Sequence, residues 1–240
     1  MQNELDLNES STKNNAIRII VSALAILSGF AGFEHGFFEF LQGNVAPEGF
    51  VISAIGPNQR FWSLGQEPAF TLIPNFFITG ILAMTIGISI IIWAIFFIDK
   101  RFGARIQFLL SISLFLVGGG FAPIPPALLA SIIAIEIDKP LTWWQANLPE
   151  KIQQVFRLLW PWDVILFILL YLIPMWIAVF GVPLIWFFTE EVTVQINTNL
   201  GLLCVFFILI SIISAISVEI QRKSNKYSEK QIEYLKTEVI

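Results

Sequence analysis

The sequence predicts an all-α integral membrane protein, a helical bundle with about six membrane segments. Its 240 residues are 56% hydrophobic and have a mean hydropathy of +0.75, more apolar surface than one water-soluble core can hide. Several apolar runs also reach the roughly 20 residues that a bilayer-spanning helix needs. These runs are rich in Phe, Ile and Leu without strict polar alternation, so helices are favoured over the strands of a membrane barrel.

The apolar runs and the breaks between them define the order of segments. The first fifteen residues lack the compact basic region of a secretory signal, so the run that follows is expected to be a retained span. We expect a polar cytoplasmic tail at 1–15, one transmembrane domain at 16–220 with segments at about 16–41, 70–98, 104–118, 125–138, 162–188 and 200–218, an interfacial helix at about 148–160, and a cytoplasmic tail at 221–240.

A Gly/Pro-rich break divides the apolar stretch 106–138 into a hairpin. Gly118, Gly119 and Gly120 release the helix, and the prolines that follow cannot continue it because they lack the N–H donor. The second arm, 125–138, is only about 21 Å long at 1.5 Å per residue. The hairpin therefore either crosses a thinned part of the membrane or is re-entrant and packed inside the bundle.

The basic residues predict the orientation, because short loops rich in Lys and Arg stay in the cytoplasm. If 106–138 goes out and returns, every one of the fourteen Lys and Arg residues except Arg60 is cytoplasmic. A single span at this place would put most of them outside. The pattern favours the hairpin, a cell (cytoplasmic) membrane location and cytoplasmic N- and C-termini.

The segment before the fifth span has two interpretations. Asn147 and Glu150 resemble a helix start, and the apolar residues that follow fall on one face of a helix. This helix either lies in the membrane surface, flanked by Trp side chains, or is an ordinary connection packed on the bundle. The fifth span itself is expected to kink at Pro174 and near Pro183.

Ionisable side chains in the first span form the main candidate site. Ionisable groups at membrane depth are costly, and Glu34, the only histidine His35, and Glu39 lie near the end of this run. Because the second span returns antiparallel, we expect Asn75 at the depth of His35 and Glu39. The loop between the two spans can contribute Arg60 and Glu67. Three glycines form a stripe along the same helix, at Gly29, Gly32 and Gly36. This glycine stripe predicts a close approach of another helix.

This cluster has a functional and a structural interpretation. A histidine with two carboxylates can relay protons or bind a divalent metal ion. Alternatively, the two glutamates reach the lipid headgroups and His35 hydrogen-bonds a neighbouring helix. The metal interpretation is weak, because there is no second His or Cys at ligand spacing. No hydrolase or nucleotide motif is present, so we predict no catalytic residue, metal or cofactor.

The remaining polar and reactive groups receive simpler interpretations. Glu136 and Glu219 lie near the cytoplasmic ends of their segments and are expected to be solvated. Cys204 stands alone in an apolar run and is expected to be a small buried hydrophobe. The net charge of −4, without a broad cationic face, disfavours nucleic acid as a partner. The expected partner is the lipid bilayer, with room for another membrane protein or a second copy of the chain.

Three strings also resemble a group of prokaryotic multi-pass (polytopic) membrane proteins to which no activity is assigned. They are the segment from Gly32 to Gly43, the segment from Thr71 to Phe76 and the turn from Gly118 to Pro126. The resemblance covers roughly residues 16–137. It implies a helical membrane fold and a microbial cytoplasmic membrane, and no catalytic residue follows from it.

Three functions remain open on the sequence. The favoured one is a non-enzymatic protein of transport or channel type, or an accessory subunit of such a system, that handles protons or a small polar solute. The second is an integral membrane enzyme for a lipid or isoprenoid substrate, with Glu34 or Glu39 and His35 as acid and base. The third is a structural or regulatory membrane subunit without a site of its own.

Overall fold

The computed structural model describes the backbone of residues 15–238 and the side chains of residues 15–226. Apart from Asn15, the predicted tail at 1–15 lies outside the described residues. The elements in chain order are α1 (Ala16–Gln42), β1 (Val51–Ser53), β2 (Pro68–Phe70), α2 (Phe76–Phe96), α3 (Gly103–Leu116), α4 (Ile124–Ala134), α5 (Thr142–Asn147), α6 (Glu150–Phe180), a 3-10 helix (Leu184–Trp186) and α7 (Glu190–Glu238).

Four helices of the described chain are long and apolar enough to cross a membrane. They are α1, α2, α6 and the part of α7 from Glu190 to Lys226. The prediction of an all-α membrane protein is thereby confirmed. The helices α3 and α4 are apolar but shorter, with 14 and 11 residues. For brevity, the end of the bundle at which α1 finishes is called the upper end, and the end at which α1 starts is called the lower end.

Helices α1 and α2 run antiparallel and meet along a seam of glycines. A Cβ atom on Gly29 would lie 2.7 Å from the carbonyl oxygen of Gly87, and one on Gly36 would lie 2.7 Å from that of Gly80. The third glycine of the stripe, Gly32, packs against Leu114 of α3. Only glycine permits backbones to approach this closely. The predicted role of the stripe is confirmed, and α1 also packs against α4 and α7.

The lower end of α1 is fixed by hydrogen bonds to two other parts of the chain and by a cap of its own. The side chain of Asn15 accepts from the N–H of Ile17 and donates to the carbonyl of Ile137 (both 2.9 Å). Glu219 of α7 accepts from the N–H of Ala16 at 3.2 Å. Asn15 is an N-cap, and the carboxylate satisfies a second free N–H of the first turn. Glu219 is only 6% exposed, so the expectation that it is solvated is wrong.

At the upper end, the turn between α3 and α4 docks on the α1–α2 loop. Strands β1 and β2 form a short antiparallel pair in this loop, with Val51 opposite Phe70. The N–H of Gly118 donates to the carbonyl of Phe70, and the N–H of Leu72 donates to that of Leu116 (both 2.9 Å). The predicted break of the helix at the glycines is confirmed. The turn therefore lies at the same level as the end of α1.

Two predicted boundaries differ from the structure. The second span was expected from residue 70, but β2 and a turn occupy 68–75, because Pro74 and the N-cap Asn75 start α2 at Phe76. The helix expected at 148–160 is not a separate element. Those residues form the first part of α6, which continues through Pro161 and Pro174 to Phe180. A proline costs one backbone hydrogen bond, and neighbouring helices in a bundle offset that loss.

The ends of α6 and α7 also depart from the prediction. Helix α6 stops at Gly181, whose φ of 70° is in the left-handed region and whose N–H donates to the carbonyl of Ile177. Pro183 therefore lies beyond the helix instead of kinking it. Helix α7 begins at Glu190, earlier than the predicted residue 200, and its backbone stays helical to Glu238 through most of the predicted tail.

Candidate functional site

His35 lies in the upper half of α1 between two carboxylates. The ring is 2% exposed. Its Nδ1 is 2.9 Å from the carbonyl oxygen of Ala31 and 3.2 Å from Oε2 of Glu34. Its Nε2 is 3.2 Å from Oε2 of Glu67, within ion-pair distance but without the alignment of a hydrogen bond. Both ring nitrogens therefore face an acidic group, one from the same helix and one from the α1–α2 loop.

Glu39 lies one turn above His35 and is completely buried. Neither of its carboxylate oxygens has a hydrogen-bond partner in the described part of the chain. A buried carboxylate in an apolar environment is costly when it lacks partners. An unsatisfied group of this kind does not stabilise the fold, and groups of this kind are found at functional sites.

The α3–α4 turn closes over both side chains. The backbone of Gly118 contacts the carboxylate of Glu39, and that of Gly120 contacts the ring of His35. A Cβ atom at either glycine would overlap the side chain that it faces. Both residues also have positive φ, 95° and 84°, a region in which only glycine is at ease. The predicted turn is thus a cover whose shape depends on glycine.

An apolar cavity of about 400 Å³ reaches His35 and Glu67 from the other side. It lies between α1, the start of α4, α6 and α7. Its polar lining comprises His35, Glu67, Tyr171 and Asn197, and most of the remaining wall is aliphatic or proline. In the part of the chain that the structure describes, the Oδ1 atom of Asn197 is buried and has no hydrogen-bond partner. The volume falls within the usual range of small-molecule sites, roughly 300–1,000 Å³.

The structure brings four of the six predicted site residues together. His35 is within ion-pair distance of both Glu34 and Glu67. Glu39 is the next acidic residue along α1. Asn75 instead caps α2, where it accepts from the N–H of Ile78 and donates to Asn44. Within the described residues, its side chain forms no hydrogen bond with a member of the cluster.

Arg60 is the other predicted residue outside the cluster. It lies in the α1–α2 loop, half-buried, and its Nε atom has no hydrogen-bond partner. Within the described residues it forms no ion pair with any of the clustered glutamates. Nor do the described residues contain a group of three or more His, Cys, Asp or Glu side chains arranged to hold a metal ion.

A second buried polar cluster lies between α6 and α7, where sequence reasoning missed it. Asp163 is 3% exposed and accepts a hydrogen bond from Ser214. Its other carboxylate oxygen and the nearby hydroxyl of Ser211 are buried and have no hydrogen-bond partner among the described residues. The signal in the sequence was the spacing of serines, at 211, 214 and 217, which places them along one face of an apolar helix.

Comparison with protein-family models, with curated proteins and with solved structures finds no match to this chain.

Proposed function

We propose that this protein is of transport type, or is the solute-binding subunit of a transport system, and that it handles protons and a small solute at the His35 site. One observation carries the proposal. The cavity of about 400 Å³ leads directly to His35 and Glu67, which are otherwise costly groups to keep at this depth. A dry and fully packed stripe would have favoured a purely structural role.

The groups that line the cavity indicate the chemistry of the solute. Glu67 and the unpartnered Oδ1 of Asn197 are acceptors, and Glu34 adds a second carboxylate beside His35. Such a site favours a hydrogen-bond donor or a positive charge. The aliphatic wall favours a solute with an apolar part. The solute class is therefore a small molecule that is partly apolar and carries an amine or a similar donor.

The same groups suit proton exchange. Carboxylate and histidine chains relay protons in pumps and transporters, and an imidazole between two carboxylates can pass a proton from one to the other. A solute amine that binds at Glu67 would compete with His35 for this carboxylate. Binding of the solute and release of a proton are thereby coupled at one acceptor.

The seam between α6 and α7 supplies a continuation of the route toward the lower end. Leu170 lines the cavity, Phe167 below it is completely buried, and Asp163 lies one turn further. Residues spaced by three and four lie on one face of a helix, and seven residues span about 10 Å. In the proposal, Phe167 separates the upper cavity from Asp163, as a gate would.

The proposal includes the finer topology. We place the upper end outside, both termini in the cytoplasm and six segments in the cell membrane of a prokaryote, with α3 and α4 as the third and fourth. The contact of the α3–α4 turn with β2 supports a hairpin that extends through the whole bundle. The exposed apolar faces fit the lipid bilayer and leave room for a membrane-protein partner or a homo-oligomer.

The test is proton movement in reconstituted vesicles. The protein is placed in liposomes that contain a pH-sensitive dye, a potassium diffusion potential is applied, and proton uptake is recorded with and without ethidium, an apolar aromatic cation. We expect uptake by the parent and a fall of about tenfold or more in His35→Gln and Glu67→Gln, because each loses a relay group. Asp163→Asn should lower uptake as well.

Glu48→Gln is the matched control, because Glu48 is an exposed glutamate of the same loop. It should behave as the parent does. If the parent moves neither protons nor ethidium, or if Glu48→Gln has the same effect as Glu67→Gln, the proposal is overturned.

A second candidate is a membrane enzyme for a lipid or isoprenoid substrate, and the aliphatic wall of the cavity favours it. In that case His35 and Glu67 would act as base and acid on a substrate that enters from the membrane. Incubation of the reconstituted protein with a total lipid extract, followed by mass spectrometry, separates the two. A product that appears with the parent and disappears in His35→Gln would favour the enzyme.

A further inference from the structure

A second cavity lies at the lower end of the bundle, far from the His35 site. Its volume is about 570 Å³, and it is formed by the end of α2, the start of α3 and the end of α4. Lys100, Arg101 and Arg105 line it together with Asp99 and Asp138. We propose that this cavity binds the phosphate headgroup of an anionic phospholipid, with one acyl chain along the groove between α3 and α4.

The three cations are free to receive an anion. All three side chains are exposed, and within the described residues none of them forms an ion pair or a hydrogen bond to a protein acceptor. The guanidinium groups of Arg101 and Arg105 both lie near one aromatic ring, 5.3 and 5.8 Å from the centroid of Phe102. Contact with a ring limits the freedom of both groups, so less entropy is lost when they bind a phosphate.

The acidic residues of the cavity do not cancel this charge. Asp99 already faces a fourth cation, since Nε of Arg18 is 3.7 Å from its Oδ2. Only Asp138 then opposes Lys100, Arg101 and Arg105. The start of α3 adds to the attraction, because its N-cap residue, Phe102, provides no side-chain cap for the free N–H groups of the first turn.

Further along α3, toward the upper end, the wall of the cavity is apolar and open to the membrane. Phe108 and Leu109 follow Arg105 by three and four residues, so they continue the same face of α3, and they are 45% and 61% exposed. On the opposite wall, Ile135 at the end of α4 lines the cavity and is 52% exposed. Cations at the lower end of an apolar groove match a phospholipid better than a soluble phosphate. Basic pockets between membrane helices are known to bind such headgroups.

The experiment measures lipid binding by the purified protein in a neutral detergent. Native mass spectrometry and intrinsic tryptophan fluorescence follow a titration with dioleoyl phosphatidylglycerol, with dioleoyl phosphatidylcholine or with glycerol 3-phosphate. We expect the parent to bind the anionic lipid preferentially. In Arg101→Gln combined with Arg105→Gln, binding should be roughly thirtyfold weaker, as expected for two lost headgroup contacts.

A double variant of the same charge change, Lys151→Gln with Lys226→Gln, is the matched control, because both lysines are exposed and outside the cavity. It should bind as the parent does. Equal binding of the two lipids by the parent would overturn the proposal and indicate non-specific adsorption, whether or not the arginine variant folds. Binding of glycerol 3-phosphate as tight as that of the lipid would also overturn it, in favour of a soluble phosphate ligand. Neither result depends on transport at His35.

Discussion

The two ends of α1 treat buried polar groups in opposite ways. At the lower end, Asn15 and Glu219 are buried, and both are hydrogen-bonded to the first turn of the helix. At the upper end, His35 and Glu39 are buried at least as deeply. Within the described residues, however, the carboxylate of Glu39 has no hydrogen-bond partner, and the polar contacts of His35 beyond Ala31 are ion-pair contacts with Glu34 and Glu67. Burial alone therefore does not separate structural from functional groups.

The presence or absence of hydrogen-bond partners distinguishes the structural groups from the functional ones. A buried polar group that is hydrogen-bonded stabilises the fold. Removal of one partner leaves the other buried without a hydrogen bond, which costs free energy. A buried group without a partner costs free energy in the resting protein. Its retention then suggests a use that the empty structure does not display, such as contact with a solute or a proton. Four substitutions test this contrast, in order of decreasing expected effect on stability.

Gly118→Ala should have the largest effect. The new methyl group overlaps the carboxylate of Glu39, and alanine is strained at a φ of 95°. We expect a loss of about 2–5 kcal/mol in the free energy of unfolding, from overpacking and backbone strain together. The measurement is unfolding in SDS–detergent mixtures, followed by tryptophan fluorescence.

The cause of that loss can be separated by a second substitution. Gly118→Ala combined with Glu39→Ser should recover the overpacking part and retain the strain. Gly49→Ala is the control, because no atom lies within 4 Å of its added Cβ. A Gly118→Ala protein as stable as the Gly49→Ala protein would show that the turn does not cover Glu39.

Glu219→Ala should destabilise the lower end. It removes the acceptor of the Ala16 N–H, a buried donor that then remains unpaired. The expected loss is about 1–3 kcal/mol in the same unfolding assay. Glu136→Ala is the comparison, since Glu136 is paired with Lys139 in an exposed ion pair and should lose less than about 1 kcal/mol. Equal losses would contradict the structural role of Glu219.

Asn75→Ala tests whether this residue belongs to the site. It removes the N-cap of α2, so about 1 kcal/mol of stability should be lost. Proton uptake in vesicles should be unchanged, because its hydrogen bonds are with Asn44 and Ile78. A fall in uptake as large as that of His35→Gln would return Asn75 to the cluster.

Glu39→Gln should have the smallest effect on stability. No hydrogen bond of the carboxylate is lost, so the free energy of unfolding should fall by less than about 1 kcal/mol, or rise. Proton uptake, in contrast, should decrease, because an amide cannot carry the proton. If the substitution destabilised the protein as much as Glu219→Ala does, Glu39 would be a structural residue and the contrast between the two ends would fail.

Local pattern was a good guide to part of this fold. The glycine stripe on α1 predicted the close seam with α2, and the glycines and prolines after α3 predicted where the helix breaks. Pro161 and Pro174 did not mark the ends of a helix, because α6 continues through both of them in spite of the two lost hydrogen bonds. Asn75 was expected inside the second span, but it caps α2, and Pro74 and Asn75 together form an N-cap signal.

The sequence by itself determined the apolar helices, the position of His35 and Glu39 on one face of α1, and the glycines that permit close approach. These properties depend on neighbours a few residues apart, and helical periodicity makes them readable. Only the tertiary structure decided that Glu67 faces His35, that the α3–α4 turn covers Glu39, and that a cavity opens beside them. Those contacts join residues distant in sequence, and they depend on how the loops and helices pack together.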